Sequence, residues 1–214
     1  MQVVNVRCDR AVADRLADAV RAARQVEKDW LAERRGQVAE RVRAQKLRVA
    51  ERDVLLDEAA QTFAQLRASG HFRGTRTLFV LPHLRLLLDE LGWTGRTWRP
   101  VPPRARAGRP WGTHDQHFAA RVALRLPDEL AETIARACYW TSLPAVAALQ
   151  RWYDEHGDHW RGRLHDPEAR WVGEGPSHAD LRERDRLTRE VVTTGTVLRE
   201  AIEKAVPEQH PDGG

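Results

Sequence analysis

The sequence predicts a mainly helical protein that carries a short β-ribbon. Apolar residues recur at helical intervals through most of the first 70 residues, whereas apolar and polar residues alternate in 3–8 and 121–126. Four prolines and three glycines in residues 94–117 exclude a regular element there. The 214 residues suffice for one large domain or two small ones, each with its own core.

The first part of the chain predicts long helices. Helical spacing continues from Val12 to Leu31, and Gly36 marks an expected interruption before a second long helix over 37–68. Gly70 follows that helix as a C-terminal stop. Long charged helices of this kind need a partner surface, which is either the rest of the chain or a second copy.

Two further helices are predicted on either side of the Pro/Gly-rich segment. The segment 82–93 is typical of a helix with Pro82 in its first turn and Gly92 at its end, whereas 76–81 is compatible with a strand or with the start of a helix. A last helix is predicted over about 177–206.

These patterns divide the chain into four parts. We expect a helical N-terminal domain with a first strand over 1–93, a basic linker over 94–117, a C-terminal domain over 118–206 and a disordered tail over 207–214.

Positive charge is concentrated in the middle of the chain. Residues 71–126 hold ten Lys or Arg residues against three Asp or Glu residues, whereas 127–214 hold eleven against seventeen. A concentrated basic region is typical of proteins that bind a polyanion, although a solvated charged surface would show the same count.

The cysteines and the apolar segments indicate the compartment. Cys8 and Cys138 are too few for a disulfide framework or a zinc site, which fits a reducing cytosol. The apolar runs are far shorter than a membrane span, and the first residues lack a secretion signal, so we expect a cytoplasmic protein without a membrane partner.

The segment 121–137 predicts a strand followed by a helix. Arg121, Ala123 and Arg125 share one face of the strand, and the aliphatic residues between them share the other. Pro127 ends the strand because it has no N–H to donate.

The segment "RVALRLPDELAETIARACYWTSLPAVAALQRWYDEH" (121–156) resembles the ribbon-helix-helix DNA-binding proteins of the Arc and MetJ type. The resemblance implies that this strand pairs antiparallel with the same strand of a second copy, as a homodimer, and that the ribbon enters the major groove of double-stranded DNA. It also implies that Arg121, Ala123 and Arg125 read bases.

The same resemblance implies a second helix that begins near Thr141 and Ser142, whose backbone N–H groups would bind a phosphate. This chain departs from the family pattern in that the turn "CYWTSLP" contains no glycine.

An internal similarity extends the ribbon hypothesis. Residues 4–19 align without gaps on 122–137, with apolar residues at matching positions. If the two strands pair within one chain as a pseudo-dimer, Asn5 and Arg7 join the arginines of the second strand on one face. Arginine suits guanine and asparagine suits adenine. The alternative is an amphipathic edge strand with its arginines in water.

The linker adds basic residues that suit a phosphate backbone. Arg104, Arg106 and Arg109 are expected to contact DNA phosphates. The tripeptide at 108–110, Gly-Arg-Pro, matches the core of a minor-groove AT-hook, but a plain basic linker is the favoured interpretation.

The sequence contains no recognised motif for catalysis or metal binding. The cluster His156, Asp158, His159, His165 and Asp166 lacks a recognised metal-ligand spacing, so a polar surface loop is favoured. We find no phosphate-binding glycine loop, nucleophile elbow or pair of catalytic carboxylates, and therefore expect no enzyme, metal or cofactor.

Together these features predict a sequence-specific double-stranded DNA-binding protein, associated with the nucleoid. It would be a transcriptional repressor or a partition or origin-binding factor of a plasmid or other mobile element. The alternative is a non-enzymatic helical scaffold that uses its N-terminal helices as an oligomer interface.

Overall fold

The fold is taken from a computed structural model, which describes residues 1–103, 105, 118–157 and 175–207. These residues form two strands and six helices: β1 (Gln2–Cys8), α1 (Arg10–Gln45), α2 (Val49–Ala68), α3 (Arg76–Glu90), β2 (Ala120–Leu126), α4 (Asp128–His156), α5 (His178–Glu190) and α6 (Thr194–Ala205). The prediction of a mainly helical protein with a short β element is confirmed. Residues 208–214, in the predicted tail, lie outside the described residues.

The chain forms two compact units. The ribbon unit consists of Met1–Asp9 and Arg85–Glu200, and the hairpin unit consists of Arg10–Leu84 and Ala201–Gly214. These bounds differ from the division expected at 94–117, because β1 belongs with the C-terminal half of the chain rather than with the helices that follow it.

The ribbon unit contains a two-stranded antiparallel sheet. β1 pairs with β2 from Gln2 opposite Leu126 to Cys8 opposite Ala120. The inward side chains of the sheet are mostly buried, and Val6, Leu124 and Leu126 are at most 1% exposed. Two strands alone are marginal in water, so this buried apolar face is what stabilises the pair. The two predicted strands are confirmed. They pair with each other within one chain, an arrangement that the sequence left open beside the pairing with a second copy that the family resemblance implies.

The two strand-helix segments have equivalent element boundaries. When 4–19 is aligned on 122–137, β1 and β2 begin and end at equivalent positions, and α1 and α4 begin at equivalent positions. Leu16 and Ile134, which are also equivalent, are both fully buried. The internal similarity therefore extends from sequence to element bounds and burial.

The expected turn between two C-terminal helices is wrong. α4 runs without interruption from Asp128 to His156 and includes Pro144 in its interior. A helix that has no glycine at the expected turn continues as long as its backbone groups and side chains find partners, and Ser142 finds one outside the helix. This departure leaves the chain without the second, separate helix of the ribbon-helix-helix pattern.

Helix boundaries elsewhere also differ from the predictions. α1 passes through Gly36 and ends at Gln45, and Lys46 with a φ of 50° marks the break before α2. Pro82 lies inside α3, because that helix begins at Arg76 rather than at the proline.

The last predicted helix is two helices. α5 begins after Ser177, whose hydroxyl accepts a hydrogen bond from the backbone N–H of Asp180, as an N-cap residue does. It ends at Glu190, and α6 begins at Thr194.

The hairpin unit is held together at its base, where the middle of α1 meets the C-terminal part of α2. Trp30, Phe63 and Phe72 form an aromatic cluster with ring centroids 5.3–5.8 Å apart. The buried carboxylate of Glu27 accepts a hydrogen bond from the backbone N–H of Gly74. A Cβ at that glycine would lie 2.6 Å from the carboxylate, so a side chain there would displace the carboxylate from this hydrogen bond. Beyond this base the helices are thinly packed, and α2 contains no buried residue.

Candidate nucleic-acid interface

The outward face of the ribbon consists of the odd-numbered residues of both strands. In register, Val3 lies opposite Arg125, Asn5 opposite Ala123 and Arg7 opposite Arg121. All six side chains are exposed. The structure thus places the five predicted base-reading residues on one surface, together with a sixth residue, Val3, which the sequence analysis did not include.

Two arginines lie side by side at one end of this face. Arg7 and Arg121 are directly opposite across the strands, a position in which Cβ atoms are about 4.5–5.5 Å apart. Within the described ranges, neither side chain forms an ion pair or a hydrogen bond with another residue. Adjacent like charges without carboxylate partners repel each other, and a bound anion or an electron-rich base edge relieves that repulsion.

A buried arginine holds this end of the ribbon in place. Arg199 of α6 is 7% exposed, and its Nη1 donates a hydrogen bond of 2.7 Å to the backbone oxygen of Arg7. Its guanidinium also lies 3.9 Å from the ring centroid of Phe118, just before β2. Arg199 therefore connects the end of β1 with the start of β2. No sequence pattern indicates this role, because these residues are far apart along the chain.

The predicted helix start at Thr141 and Ser142, on which the expected phosphate contact depended, is wrong. Both residues lie inside α4, where backbone N–H groups are used by the helix itself. Ser142 is 4% exposed, and its hydroxyl both donates to the backbone oxygen of Val192 at 2.9 Å and accepts from its N–H at 2.8 Å. The serine is a buried structural link to the segment between α5 and α6.

The remaining predicted phosphate contacts, Arg104, Arg106 and Arg109, lie outside the described residues. The part of the linker that precedes them is attached to α4. Trp140 donates a hydrogen bond from Nε1 to the backbone oxygen of Arg99 at 2.9 Å, and Arg136 donates to that of Trp98 at 3.4 Å.

Two tryptophans that could stack on bases are buried in the ribbon unit. Trp98 is 8% exposed and meets Trp93 edge to face at 6.0 Å. Trp152 is 6% exposed, donates to the backbone oxygen of Asp180 and stacks on His156. The ring of Trp152 joins α4 to α5, and neither buried ring is available to a nucleic acid.

Two observations concern side chains that could bind a metal or act as a nucleophile. In the part of the chain that the structure describes, no three His, Cys, Asp or Glu residues come together as metal ligands would. Of the predicted His/Asp cluster, only His156 belongs to that part; the other four lie outside it. Burial raises the pKa of the Cys138 thiol to about 12, so at neutral pH it is a protonated, unreactive group.

Comparisons with known proteins give no further information about this interface. No protein-family model, curated protein or solved structure matches the chain. Among the helices in the described residues, none has the length and apolar character needed to span a bilayer.

Proposed function

We propose that the protein binds double-stranded DNA sequence-specifically by inserting the β1–β2 ribbon into the major groove, without catalysis. The observation that carries the proposal is the sidedness of the ribbon. Its inward face is apolar and mostly buried, whereas its outward face presents three guanidiniums and one carboxamide to solvent. A structural edge strand would need no such arrangement on both strands.

The dimensions of the ribbon suit this groove. Two antiparallel strands lie about 5 Å apart, and seven residues extend about 20 Å. The major groove is about 12 Å wide and admits a two-stranded ribbon. The two strands come from one chain, so the proposal needs no second copy to complete the ribbon, in contrast to the homodimer that the family resemblance implies.

The outward side chains match base-edge chemistry. Arginine donates two parallel hydrogen bonds to the O6 and N7 acceptors of guanine, and asparagine pairs in a similar way with adenine. Arg7, Arg121 and Arg125 would thus read guanines, and Asn5 would read an adenine. The protein would act as a transcriptional repressor or as a partition or origin-binding factor of a mobile element. It would be located in the cytoplasm with the nucleoid.

A salt titration of binding to DNA recovered from a random pool tests this proposal. The parent protein should prefer its recovered site over unrelated DNA, and Arg121→Ala with Arg125→Ala should remove that preference. The matched control is Arg186→Ala with Arg189→Ala on α5, which removes the same charge but leaves the ribbon intact. Equal loss in both double variants, or no loss in the first, would overturn the proposal.

A second candidate function is a helical scaffold that associates through α1 and α2. The observation in its favour is the exposure of apolar residues in α2, where Val49, Val54 and Leu56 are 65%, 56% and 38% exposed. Val54→Glu with Leu56→Glu would dissociate such an assembly and leave DNA binding unchanged. Light scattering of both proteins, alongside the DNA titration, separates the two candidates.

A further inference from the structure

The ribbon has an approximate two-fold symmetry that can be located within the register. The alignment of 4–19 on 122–137 makes Asn5 equivalent to Ala123, and these two residues are also paired across the strands. An antiparallel pair of equivalent residues lies on the symmetry axis of the ribbon. The axis therefore passes through the middle of both strands.

The central part of the inward face obeys this symmetry. Val4 is equivalent to Val122, and Val6 is equivalent to Leu124, so both halves of the ribbon present aliphatic side chains to the interior. The burial of this face requires only that these positions be apolar and similar in volume.

The outward face breaks the symmetry. Arg7 is matched by Arg125, but Val3 is the equivalent of Arg121, and the axis position has a carboxamide on one strand and a methyl group on the other. One end of the face thus has two guanidiniums, and the other has one guanidinium beside an isopropyl group. Since these side chains are exposed, packing does not explain the difference.

We propose that the ribbon of a single chain reads a DNA site without two-fold symmetry. This inference rests on the proposed function. The end with Arg7 and Arg121 would face guanines on both strands, and Asn5 would face an adenine. Val3, an additional specificity-determining residue, would contact the methyl group of a thymine, the base feature that an apolar side chain recognises.

A palindromic site does not suit this face. Its two halves offer the same donors and acceptors, so a guanine that pairs with Arg121 in one half has an equivalent that meets Val3 in the other. The guanine acceptors opposite the valine would lose their water without gaining a donor. One good side-chain–base pair changes discrimination by about 5- to 150-fold, so the asymmetric site should be preferred by about that factor.

The test is selection from random DNA with the full chain and with a variant whose outward face is symmetric. Val3→Arg with Ala123→Asn gives both strands the same outward residues at exposed positions. The parent should select a non-palindromic site and bind it as one chain per duplex, measured by native mass spectrometry. The variant should select a two-fold symmetric site that keeps the guanines, and it should bind that site at least about 5-fold more tightly than the parent does.

A matched control separates specificity from charge. Val54→Arg with Ala60→Asn makes the same two substitutions in α2, where Val54 is 56% exposed, as Val3 is. This control should select the parent site, and thermal unfolding should show that both variants fold. A palindromic parent site, or an unchanged site for the ribbon variant, would overturn this inference while the proposed function stands. If the parent selects no sequence at all, both this inference and the proposed function are overturned.

Discussion

Two surfaces of the ribbon unit are rich in arginine, yet their charges are arranged differently. On the exposed side of α5, Arg186 pairs with Glu183 at 2.6 Å and with Glu190. On the ribbon, Arg7 and Arg121 face each other, and no carboxylate in the described residues pairs with either side chain. Arg186 is thus neutralised by carboxylates, whereas Arg7 and Arg121 have no carboxylate partner among the described residues.

The difference shows why arginine count is a weak guide to a nucleic-acid interface. A phosphate or a base that approaches α5 must replace carboxylates already in place, whereas a ligand at the ribbon replaces water. The hydrogen bonds and charges of Glu183 and Glu190 raise the pKa of Arg186 above its ordinary value. The ribbon is therefore the surface at which binding energy and sequence preference should be concentrated.

The largest expected effect comes from giving the ribbon the charge arrangement of α5. Ala123 lies between Arg121 and Arg125 on the outward face, so Ala123→Glu places a carboxylate between two guanidiniums. If both lose their base contacts, about 2–6 kcal/mol of binding free energy is lost, which is roughly a 30-fold or greater fall in affinity. Fluorescence anisotropy with the selected site measures this change.

The control for that variant is Ala123→Gln, which has similar size and no charge. It should bind with affinity near that of the parent, since it adds no charge beside either guanidinium. Equal affinities of the Glu and Gln variants would show that the outward face does not meet DNA, and the contrast with α5 would then have no functional meaning.

The next effect concerns the buried arginine behind the ribbon. Arg199→Ala removes the donor to the backbone oxygen of Arg7 and the cation–π contact with Phe118, and we expect about 3 kcal/mol of unfolding free energy to be lost. Urea unfolding measures the loss. Hydrogen exchange should also become faster in β1 than in α5, and equal acceleration in both would argue against a specific role at the ribbon.

The third effect tests the corrected role of α4. Ser142→Ala leaves the N–H and the carbonyl of Val192 without their buried partner, and we expect a loss of about 1–2 kcal/mol in stability. DNA affinity of the folded protein should not change, because this residue is not at the interface. Thr141→Ala, at the exposed neighbouring position, is the control and should alter neither quantity. A large loss of affinity in either variant would restore the phosphate contact.

The ribbon could be predicted because its information is local. Alternation with a period of two defines both strands, and the similarity of 4–19 to 122–137 indicates that they form equivalent elements that can pair. The course of α4 could not be predicted in this way. Ser142 and Pro144 have the appearance of a helix start, and only the partner at Val192, which lies 50 residues away, makes the serine a buried interior residue.

The support of the ribbon was also beyond sequence patterns. The contact between Arg199 and Arg7 spans 192 residues, and neither helical spacing nor charge count distinguishes this arginine from the exposed ones on α5. Val3 was missed for another reason. A search for base-reading residues among polar side chains passes over an apolar residue, although extending the alignment of 4–19 on 122–137 by one residue makes Val3 equivalent to Arg121.

The smallest expected effect is the pH dependence of the α5 surface. A hydrogen bond from Arg186 lowers the pKa of Glu183, and hydrogen bonds from Ser177 lower the pKa of Asp180. Because the unfolded chain then binds protons more readily than the folded one, both groups stabilise the fold above their ordinary pKa values. That contribution is lost as the pH falls through the lower values of the folded state.

Thermal unfolding of the parent between pH 5 and about pH 2 should therefore show a decline that is smaller in Glu183→Gln and in Asp180→Asn, since these amides do not titrate. The ribbon offers the opposite case. Its outward residues contain no carboxylate, so Ala123→Gln should keep the decline of the parent in full. A decline that persists unchanged in both amide variants would place the acid-sensitive groups elsewhere, and the pairing that distinguishes α5 from the ribbon would then have little energetic weight.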